Sequence, residues 1–394
     1  MKRHFLPILS ILLLLGFSIN QKPQWKGKIE EENGVKVIKN PKEPLFDEII
    51  FDLEENFSIG NELDENYLFY KVRDIGVDTK DRIYVLDAGN RRVQVFNKLG
   101  QYVMTIGQRG QGPGEFENPV DLFIDTEDKL YVLDNRRVTV FDVKGSYIST
   151  IRTEIQISEF SVTSHGTIIA RLNPSLERKK SIVRINQNGA VINKYGEYPD
   201  VKSAVRKGQG RGSYTIFTAF HDYTAHPRFC LIDEVRFIYG SPLEYKLNIS
   251  EIPGNLIMII KKDEFSESIG RVEKDKIIAE LEESISRSGR KWPKGALEEA
   301  SKFPPHRPFY RDILVDEVKR IYVLKVMSVL NEDQDIEADI YSESGYYIYK
   351  TSLPFYPSII RSGNLYGIVS SEETGEEIIK KYTIKNWDQI KEGI

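Results

Sequence analysis

Cysteine is almost absent from this chain, since its 394 residues include only Cys230. No disulfide can therefore form within the chain, and Cys230 is expected to be a buried, small apolar residue. An excess of one charge sign is missing too, because 55 Lys and Arg residues face 59 Asp and Glu residues and the net charge is −4. This balance gives no indication of a nucleic-acid partner or of an anionic membrane surface.

Phosphate-binding motifs are also missing, although the stretch "GQRGQGPGEFENP" at residues 107–119 holds four glycines within eight residues. A P-loop requires Gly-Lys-Ser/Thr, and neither Gly112 nor Gly114 is followed by lysine. A dinucleotide fingerprint requires a third glycine where Glu115 stands. The stretch is therefore expected to be a connection of another kind. The catalytic motifs G-x-S-x-G and H-E-x-x-H do not occur in the sequence.

The N-terminus has the pattern of an export signal. Lys2 and Arg3 precede an apolar run from Phe5 to Phe17, whose 13 residues are too few to cross a bilayer comfortably. Small residues then stand at the spacing of a signal-peptidase site, namely Gly16 and Ser18. With the lack of disulfides, this pattern predicts a signal peptide over 1–18 and a bacterial extracytoplasmic protein, periplasmic or secreted. No membrane span is expected after cleavage, whereas an uncleaved segment would anchor the protein.

Similar segments recur along the chain at intervals typical of a repeat fold. Nearly matching copies are "DRIYVLDAGNRRVQVF" from residue 81, "DKLYVLDNRRVTVF" from residue 128 and "KRIYVLK" from residue 319, and weaker copies begin at residues 166, 235 and 364. Each unit reads as four short strands with alternating apolar residues. Six such units predict an all-β fold, a six-bladed β-propeller of four-stranded antiparallel blades. A glycine with positive φ is expected at the last turn of each of five units: Gly100, Gly145, Gly189, Gly254 and Gly345.

The unit "RIYVLDAGNRRVQVF", followed by Gly-x-Tyr and then by "GQRGQGPGEF", resembles the NHL-repeat six-bladed β-propellers. The resemblance is specific over residues 73–155 and only patterned over 156–388. It implies that the Gly-Pro-Gly-Glu-Phe segment joins the outer strand of one blade to the inner strand of the next, with Phe116 and Pro119 packing the joint. It also implies that Asp87 and Asp134 are turn residues rather than catalysts, accepting backbone N–H groups or pairing with nearby arginines.

The propeller is predicted over residues 49–388, after an N-terminal extension over 19–48. The last unit stops after its third strand, and residues 49–59 can supply the missing outer strand by pairing with residues 378–384. The spacing supports this closure, because Ile59 precedes Asp74 by the same 15 residues that separate Ile106 from Asp121. Two insertions interrupt the repeats: a long loop at 196–228, and an amphipathic helix within 262–304 across one face of the disc, with Ile277, Leu281 and Ile285 at helical spacing.

Charged residues occupy equivalent positions of the inner strands, which ring the central channel of a propeller. They predict a polar funnel at one channel mouth that binds a ligand, while salt bridges that only lock the blades together are the alternative. The predicted site comprises Arg73, Asp74, Asp121, Arg228, Arg311 and Asp312. His221 and His226 are expected at the same mouth, because their loop enters the inner strand at Arg228. Two histidines without a third ligand do not predict a metal site, and no cofactor is expected.

Repeats without a complete catalytic constellation favour a non-enzymatic binding or scaffold propeller. We expect a monomer that recognises a protein, peptide or glycan of the cell envelope. The alternative is a metal-dependent lyase or hydrolase with its site at the central channel. Stoichiometric Ca, Zn or Mg in the purified protein would favour the enzyme.

Overall fold

The computed structural model describes residues 23–60, 63–172, 179–199, 204–207, 214–217, 221, 223–287, 289, 292, 295–331, 334–370 and 376–391. The predicted signal peptide at residues 1–18 lies outside these ranges. Within them, no helix has both the length and the apolar character needed to cross a bilayer.

Six blades of four antiparallel strands each form a propeller, as the repeats predict, and two further strands extend the sheet of blade 4. Three strands stand before the first blade: β1 (Lys28–Glu32), β2 (Val35–Asn40) and β3 (Leu53–Ile59). Blade 1 contains β4 (Val72–Val77), β5 (Ile83–Asp87), β6 (Arg92–Phe96) and β7 (Tyr102–Ile106). Blade 2 contains β8 (Pro119–Ile124), β9 (Leu130–Asp134), β10 (Arg137–Phe141) and β11 (Tyr147–Arg152). Blade 3 contains β12 (Ile157–Val162), β13 (Ile168–Leu172), β14 (Lys179–Ile185) and β15 (Val191–Pro199).

The second half of the chain adds two short strands outside the blades, β16 (Ala204–Lys207) and β17 (Tyr214–Phe217). Blade 4 contains β18 (Arg228–Leu231), β19 (Arg236–Gly240), β20 (Lys246–Glu251) and β21 (Leu256–Lys262). Two helices follow, α1 (Arg271–Arg287) and α2 (Ala296–Ala300). Blade 5 contains β22 (Tyr310–Val315), β23 (Ile321–Lys325), β24 (Ile336–Tyr341) and β25 (Tyr347–Leu353). Blade 6 contains β26 (Ile359–Arg361), β27 (Asn364–Ser370), β28 (Glu377–Ile384) and, as its outer strand, β3.

A buried aspartate ends the inner strand in the blades with the strongest repeats. In blade 5, Asp316 accepts hydrogen bonds from the Arg320 backbone N–H at 2.8 Å and the Tyr322 hydroxyl at 3.0 Å. Arg320 also donates its Nε–H to the same carboxylate at 2.7 Å. The same contacts explain why Asp, Arg or Lys, and Tyr recur together in "DTKDRIY", "DTEDKLY" and "DEVKRIY". The repeat therefore encodes the turn between the first two strands of a blade.

Glycine and aspartate turns also follow the sequence predictions. The five repeated glycines have φ between 77° and 132°. Phe116 is fully buried where the Gly-Pro-Gly-Glu-Phe segment joins blades 1 and 2. Asp87 accepts the Tyr70 N–H at 2.9 Å and pairs with Arg92, and Asp134 accepts the Glu117 N–H at 2.8 Å. These carboxylates therefore stabilise turns.

The N-terminal residues close the ring. β3 pairs antiparallel with β28, from Leu53 opposite Ile384 to Ile59 opposite Ile379. This pairing agrees with the predicted closing strand, although the strand begins at Leu53 rather than at residue 49. The residues predicted as a simple extension form the hairpin β1–β2 instead, and β2 adds in parallel to β21 at the rim of blade 4.

The insertions are more structured than the sequence predicts. Residues 196–228, predicted to be a loop, include the end of β15 and the antiparallel pair β16–β17. The predicted amphipathic helix corresponds to α1, and α2 follows it. Ile277 is buried with Tyr223 and Ile269, and Val326 and Val329, which follow β23 of blade 5, pack against this cluster. Cys230, predicted to be buried, is only half-buried, because it lines the central channel.

Candidate functional site

The inner strands of the six blades surround a central cavity of about 670 Å³. Six of the eight predicted site residues lie together in its wall: Arg73, Asp74, Asp121, Arg228, Arg311 and Asp312. Glu159 of blade 3 joins them. Equivalent positions of consecutive inner strands do therefore meet around the channel.

β-Bulges shape the polar part of this wall. The pairing of the inner strand with its neighbour shifts register between Val72 and Asp74 in blade 1, and between Tyr310 and Asp312 in blade 5. Equivalent shifts occur in blades 2 and 3. A bulge places an extra residue in one strand and re-aims the side chains beside it. In blades 1 and 5 the extra residues are arginines, Arg73 and Arg311, and both are solvent-exposed.

The channel carboxylates connect neighbouring blades through backbone groups. Asp74 accepts the N–H of Leu122 in the next blade at 3.2 Å, and Asp121 accepts the N–H of Phe160 in the blade after that at 2.9 Å. Asp312 accepts the N–H of Ile313 in its own strand at 2.9 Å. The predicted alternation of Arg and Asp is thus present, but these aspartates bind amides rather than arginines.

Ion pairs of the channel wall converge on Glu159. Arg171, at the end of the second strand of blade 3, lies 2.5 Å from Glu159, measured from Nη1 to Oε2. Arg228 of blade 4 is farther from the same oxygen, at 3.7 Å. Glu159 therefore shares its charge between two arginines on two blades, and Arg171 holds the shorter contact.

Burial changes the acid–base behaviour of the aspartate pair. Desolvation raises the pKa of Asp74 to about 6. Desolvation, together with the neighbouring charge of Asp74, raises the pKa of Asp121 well above its usual range. The two side chains are hydrogen-bonded to each other, so the pair retains a proton at pH values where an exposed aspartate is ionised.

We expect Asp74→Asn to flatten the pH dependence of stability between pH 4 and pH 6. The pKa of Asp74 is raised in the folded state, so its stabilising contribution is complete below pH 4 and is lost as the pH rises through about 6. The asparagine side chain keeps one acceptor oxygen but does not ionise in this pH range, so it contributes no pH dependence. Urea unfolding at pH 4, 5, 6 and 7 should show the fall in unfolding free energy reduced by about 1–3 kcal/mol in the variant. In the control Glu127→Gln, the fall in unfolding free energy between pH 4 and pH 6 should persist. The hydrogen bond from Lys129 lowers the pKa of Glu127, so this residue does not cause a loss of stability as the pH rises. Parallel profiles for Asp74→Asn and the native protein would contradict this assignment.

A cap lies over the channel wall at blades 4 and 5. It consists of α1, the segment around Tyr223 and residues 303–309, and its contacts centre on Glu273 of α1. Glu273 accepts hydrogen bonds from the Tyr223 hydroxyl at 2.6 Å, the Ser328 hydroxyl at 2.7 Å and Arg307 Nη2 at 2.9 Å. Burial acts to raise the pKa of Glu273, but these donors prevail and hold it at about 2. An ionised glutamate therefore ties the cap to blade 5.

Beneath this cap is a smaller cavity of about 100 Å³, which we call the capped pocket. His221, His226, Arg228, Tyr310 and Arg311 contribute to its wall. Arg228 and Arg311 also line the channel, so the two cavities share these residues. The two histidines therefore lie beside the predicted arginines, as expected from the entry of their loop into β18.

The two histidines have different surroundings. The His221 ring packs against Phe303, with 4.6 Å between the ring centroids. His226 contacts the buried side chain of Lys180 through Nδ1. Burial, reinforced by Lys180 and Arg171, lowers the pKa of His226 to about 2, so this imidazole is neutral. Across the residues that the structure describes, no three His, Cys, Asp or Glu side chains are grouped as metal ligands.

Sequence reasoning missed four residues of this site. Glu159 was visible, since it aligns with Asp74 and Asp121. Arg171 stands where blades 1 and 2 have Leu86 and Leu133, so a charge replaces an apolar residue at that position. Lys180 and Tyr310 carry no comparable signal, because neither lies at a charged position that recurs between blades. Lys180 joins the site from blade 3 through its contact with His226, and Tyr310 joins it from blade 5 in the wall of the capped pocket.

The fold and this channel define a six-bladed β-propeller with charged side chains gathered around its axis. A family described as "Domain of unknown function (DUF4934)" matches residues 62–235. No curated protein matches the chain.

Several solved structures share the fold. A protein from Bacteroides fragilis, inferred to be exported, is 14% identical over 89% of this chain and 99% of its own, with a TM-score of 0.51. A member of the DUF4221 family from Bacteroides vulgatus is 10% identical over 85% and 98%, with a TM-score of 0.46. Virginiamycin B lyase from Staphylococcus aureus is 11% identical over 84% and 99%, with a TM-score of 0.42. At such identities the likeness to the first of these structures shows the propeller fold alone.

Proposed function

We propose that this chain is an exported, non-enzymatic binding propeller of the NHL-repeat type, which recognises a protein, peptide or glycan of the bacterial cell envelope at its central channel. The observation that carries the proposal is the channel cavity of about 670 Å³, whose wall gathers charged side chains from five blades. Export is supported by the apolar run at residues 5–17 and by the likeness to a Bacteroides fragilis protein inferred to be exported.

The bulged arginines are the groups best placed to contact a ligand. Arg73 and Arg311 are exposed and belong to the cavity wall, whereas the carboxylates beside them already accept backbone N–H groups. The Arg311 guanidinium is stacked over the Tyr356 ring at 4.3 Å from its centroid, which orients its planar face. Arginine held in this way can donate two parallel hydrogen bonds to a polar ligand.

We expect Arg311→Ala to weaken binding by about 1.5–3 kcal/mol, because a hydrogen bond to a charged group contributes about this much. A thermal-shift screen of envelope peptides and oligosaccharides would first identify a ligand. Calorimetry would then compare the native protein, Arg73→Ala and Arg311→Ala.

Arg152→Ala serves as the control, since Arg152 is an exposed arginine on the outer strand of blade 2. It should leave both affinity and melting temperature unchanged. Unaltered affinity in both channel variants, together with a lowered melting temperature, would show that the arginines only tie the blades together.

A further inference from the structure

Three further cavities lead from the central channel across blade 5 to its rim. The innermost, of about 200 Å³, shares Arg311 and Tyr356 with the channel wall. The middle one, of about 320 Å³, shares residues 326–328 with the innermost. The outermost, of about 470 Å³, shares Phe265 with the middle one and reaches Lys350 of β25, the outer strand of blade 5. Because neighbouring cavities have wall residues in common, they form one path, which we call the blade-5 groove.

The charges of the blade-5 groove largely balance one another. Glu264 lies 2.5 Å from Lys325 and 2.7 Å from the buried Lys262, measured between oxygen and nitrogen. Arg307 lies 2.6 Å from Glu267. Eight carboxylates and six cationic side chains line the three cavities, so the imbalance of the whole wall is only two charges. The groove therefore gives little basis for selecting a strongly charged ligand.

An exposed aromatic ring stands in the wall between the middle and the outermost cavity. Phe265 is 90% exposed, more than any other aromatic side chain in the described part of the chain. It belongs to the linker between β21 and α1, which is held in place by the ion pairs of Glu264 and Glu267 on either side of it. A side chain this exposed adds little to folding stability. The ring is therefore available to stack on a ligand in the groove.

Uncharged amides and one exposed carboxylate supply hydrogen-bonding groups to the same walls. Asn331 and Gln334, between β23 and β24, are both exposed and line the innermost and middle cavities. Asn331 Nδ2 donates to Gln334 Oε1 at 3.0 Å. Since each amide has two N–H donors and one acceptor oxygen, this bond leaves most of their capacity for a ligand. Glu337 adds an acceptor that is 59% exposed and lies 3.5 Å from Lys325.

The sheet beside the groove is not open to strand addition, a common way of binding peptides. β23 is paired on both sides, with β22 and with β24. The outer edge of β25 is covered by the N-terminal segment, since the backbone N–H groups of Leu45 and Ile49 donate to Tyr347 and Lys350 at 3.0 and 2.9 Å. A ligand of this groove is therefore recognised through side chains rather than through backbone pairing.

We propose that the blade-5 groove binds a neutral oligosaccharide, with Phe265 stacked on a sugar ring and with Asn331, Gln334 and Glu337 bonded to sugar hydroxyls. This inference rests on the proposed binding function and selects glycans from its ligand classes. Hydroxyl groups both donate and accept, which matches the mixed donors and acceptors of the walls. The two larger cavities have the volumes of small-ligand sites, about 300–1,000 Å³. The groove therefore holds several sugar units of a chain that leads into the channel.

The test compares neutral and charged probes on the full mature chain by calorimetry. The neutral probes are glucose, mannose and xylose oligomers from disaccharide to hexasaccharide, and the charged probes are uronic-acid oligomers and lysine-rich peptides. At least one neutral series should bind, and its affinity should rise by about tenfold from disaccharide to hexasaccharide as more of the groove is filled. Binding of a charged probe about tenfold more tightly than every neutral hexasaccharide would overturn the inference.

Phe265→Ala separates a binding role from a structural one. It should weaken binding of the best hexasaccharide by about tenfold, because the contact between the ring and the sugar is lost. It should leave the melting temperature of the unliganded protein unchanged, because the side chain is 90% exposed. Phe265→Trp should keep the affinity, since it retains an aromatic face. The control Leu99→Ala should alter neither quantity, because Leu99 is 65% exposed and lies in the last turn of blade 1.

The outcomes distinguish this inference from the proposed function, because Arg73 lines the channel but not the groove. Equal affinity of the native protein and Phe265→Ala for the hexasaccharide, with binding lost in Arg73→Ala, would overturn the groove and keep the channel as a binding site. Loss in Phe265→Ala alone would support the groove and contradict the channel. A protein that binds none of the oligosaccharides overturns the inference, and a peptide found in the earlier screen would then still support the channel.

Discussion

Deletion of residues 35–60 should prevent the propeller from closing, and the remaining chain should unfold at a much lower urea concentration than the native protein. The deletion removes β3, the outer strand of blade 6, and leaves β28 as an unpaired edge between blades 6 and 1. It also removes β2 from the rim of blade 4. Circular dichroism during urea titration measures the effect. A transition midpoint equal to that of the native protein would show that these residues are a dispensable tail.

The deleted segment contacts three blades, not only the sheet of blade 6. Between β2 and β3 it follows β25 at the rim of blade 5, where the backbone N–H groups of Leu45 and Phe46 donate to Tyr347 and Ile348 at 3.0 and 2.9 Å. It then reaches blade 6, where the Asn386 side chain accepts the N–H of Asp52 and donates to the carbonyl of Ile50, on either side of Phe51. Residues 35–59 thus form a girdle across the rims of blades 4, 5 and 6, and its loss should affect all three blades.

Two adjacent substitutions test the girdle without deleting it. Phe51→Ala should lower the free energy of unfolding by about 3–5 kcal/mol, because the ring is buried in the core cluster that joins blades 5 and 6. Ile50→Ala should change it by less than about 0.5 kcal/mol, because Ile50 is 80% exposed. Equal midpoints for the two variants in urea titrations would contradict the packing role of the girdle.

The closing strand was predictable because it obeys the repeat, whereas the hairpin before it does not. Ile59 lies at the repeated distance before an inner-strand aspartate, so sequence alone placed it in an outer strand. The pairing of Val37 with Ile259 joins residues more than two hundred positions apart in a parallel register, and no periodicity marks it. Non-local contacts of this kind arise from packing and leave no trace in local propensity.

In the candidate site, too, the features that follow the repeat were predictable and those that depend on packing were not. The positions of Arg73, Asp121 and Arg311 in the channel follow from aligning the blades, since equivalent residues of a propeller meet at its axis. The bulges that expose the two arginines were not predictable, because a register shift depends on how two strands pair. Within the described part of the chain the Tyr310 hydroxyl has no hydrogen-bond partner, which depends on how its neighbours pack and is not revealed by composition or spacing.

Asp316→Asn should be the most destabilising single polar substitution among the turn aspartates, at about 3–5 kcal/mol. The Asp316 side chain is fully buried and pairs with Arg320, which is itself only 4% exposed. Asparagine would leave this guanidinium without its counter-charge and would turn an amide N–H towards Arg320 or Tyr322, which are both donors. Arg320 also donates to the Ile390 carbonyl at 3.0 Å and stacks on Trp387, so the C-terminal turn should loosen with it.

Asp233→Asn provides the matched comparison, because the same motif recurs in blade 4 with solvent access. Asp233 accepts the Arg236 backbone N–H at 2.8 Å and pairs with the Arg236 side chain, but the two side chains are 22% and 23% exposed. Water can replace part of the lost interaction, so the cost should be about 1 kcal/mol or less. Urea unfolding of both variants at pH 7 measures the difference. If burial determines how much the turn contributes, Asp316→Asn should lower the free energy of unfolding several-fold more than Asp233→Asn does. Equal losses in the two variants would instead assign the effect to the turn hydrogen bonds that both sites have in common.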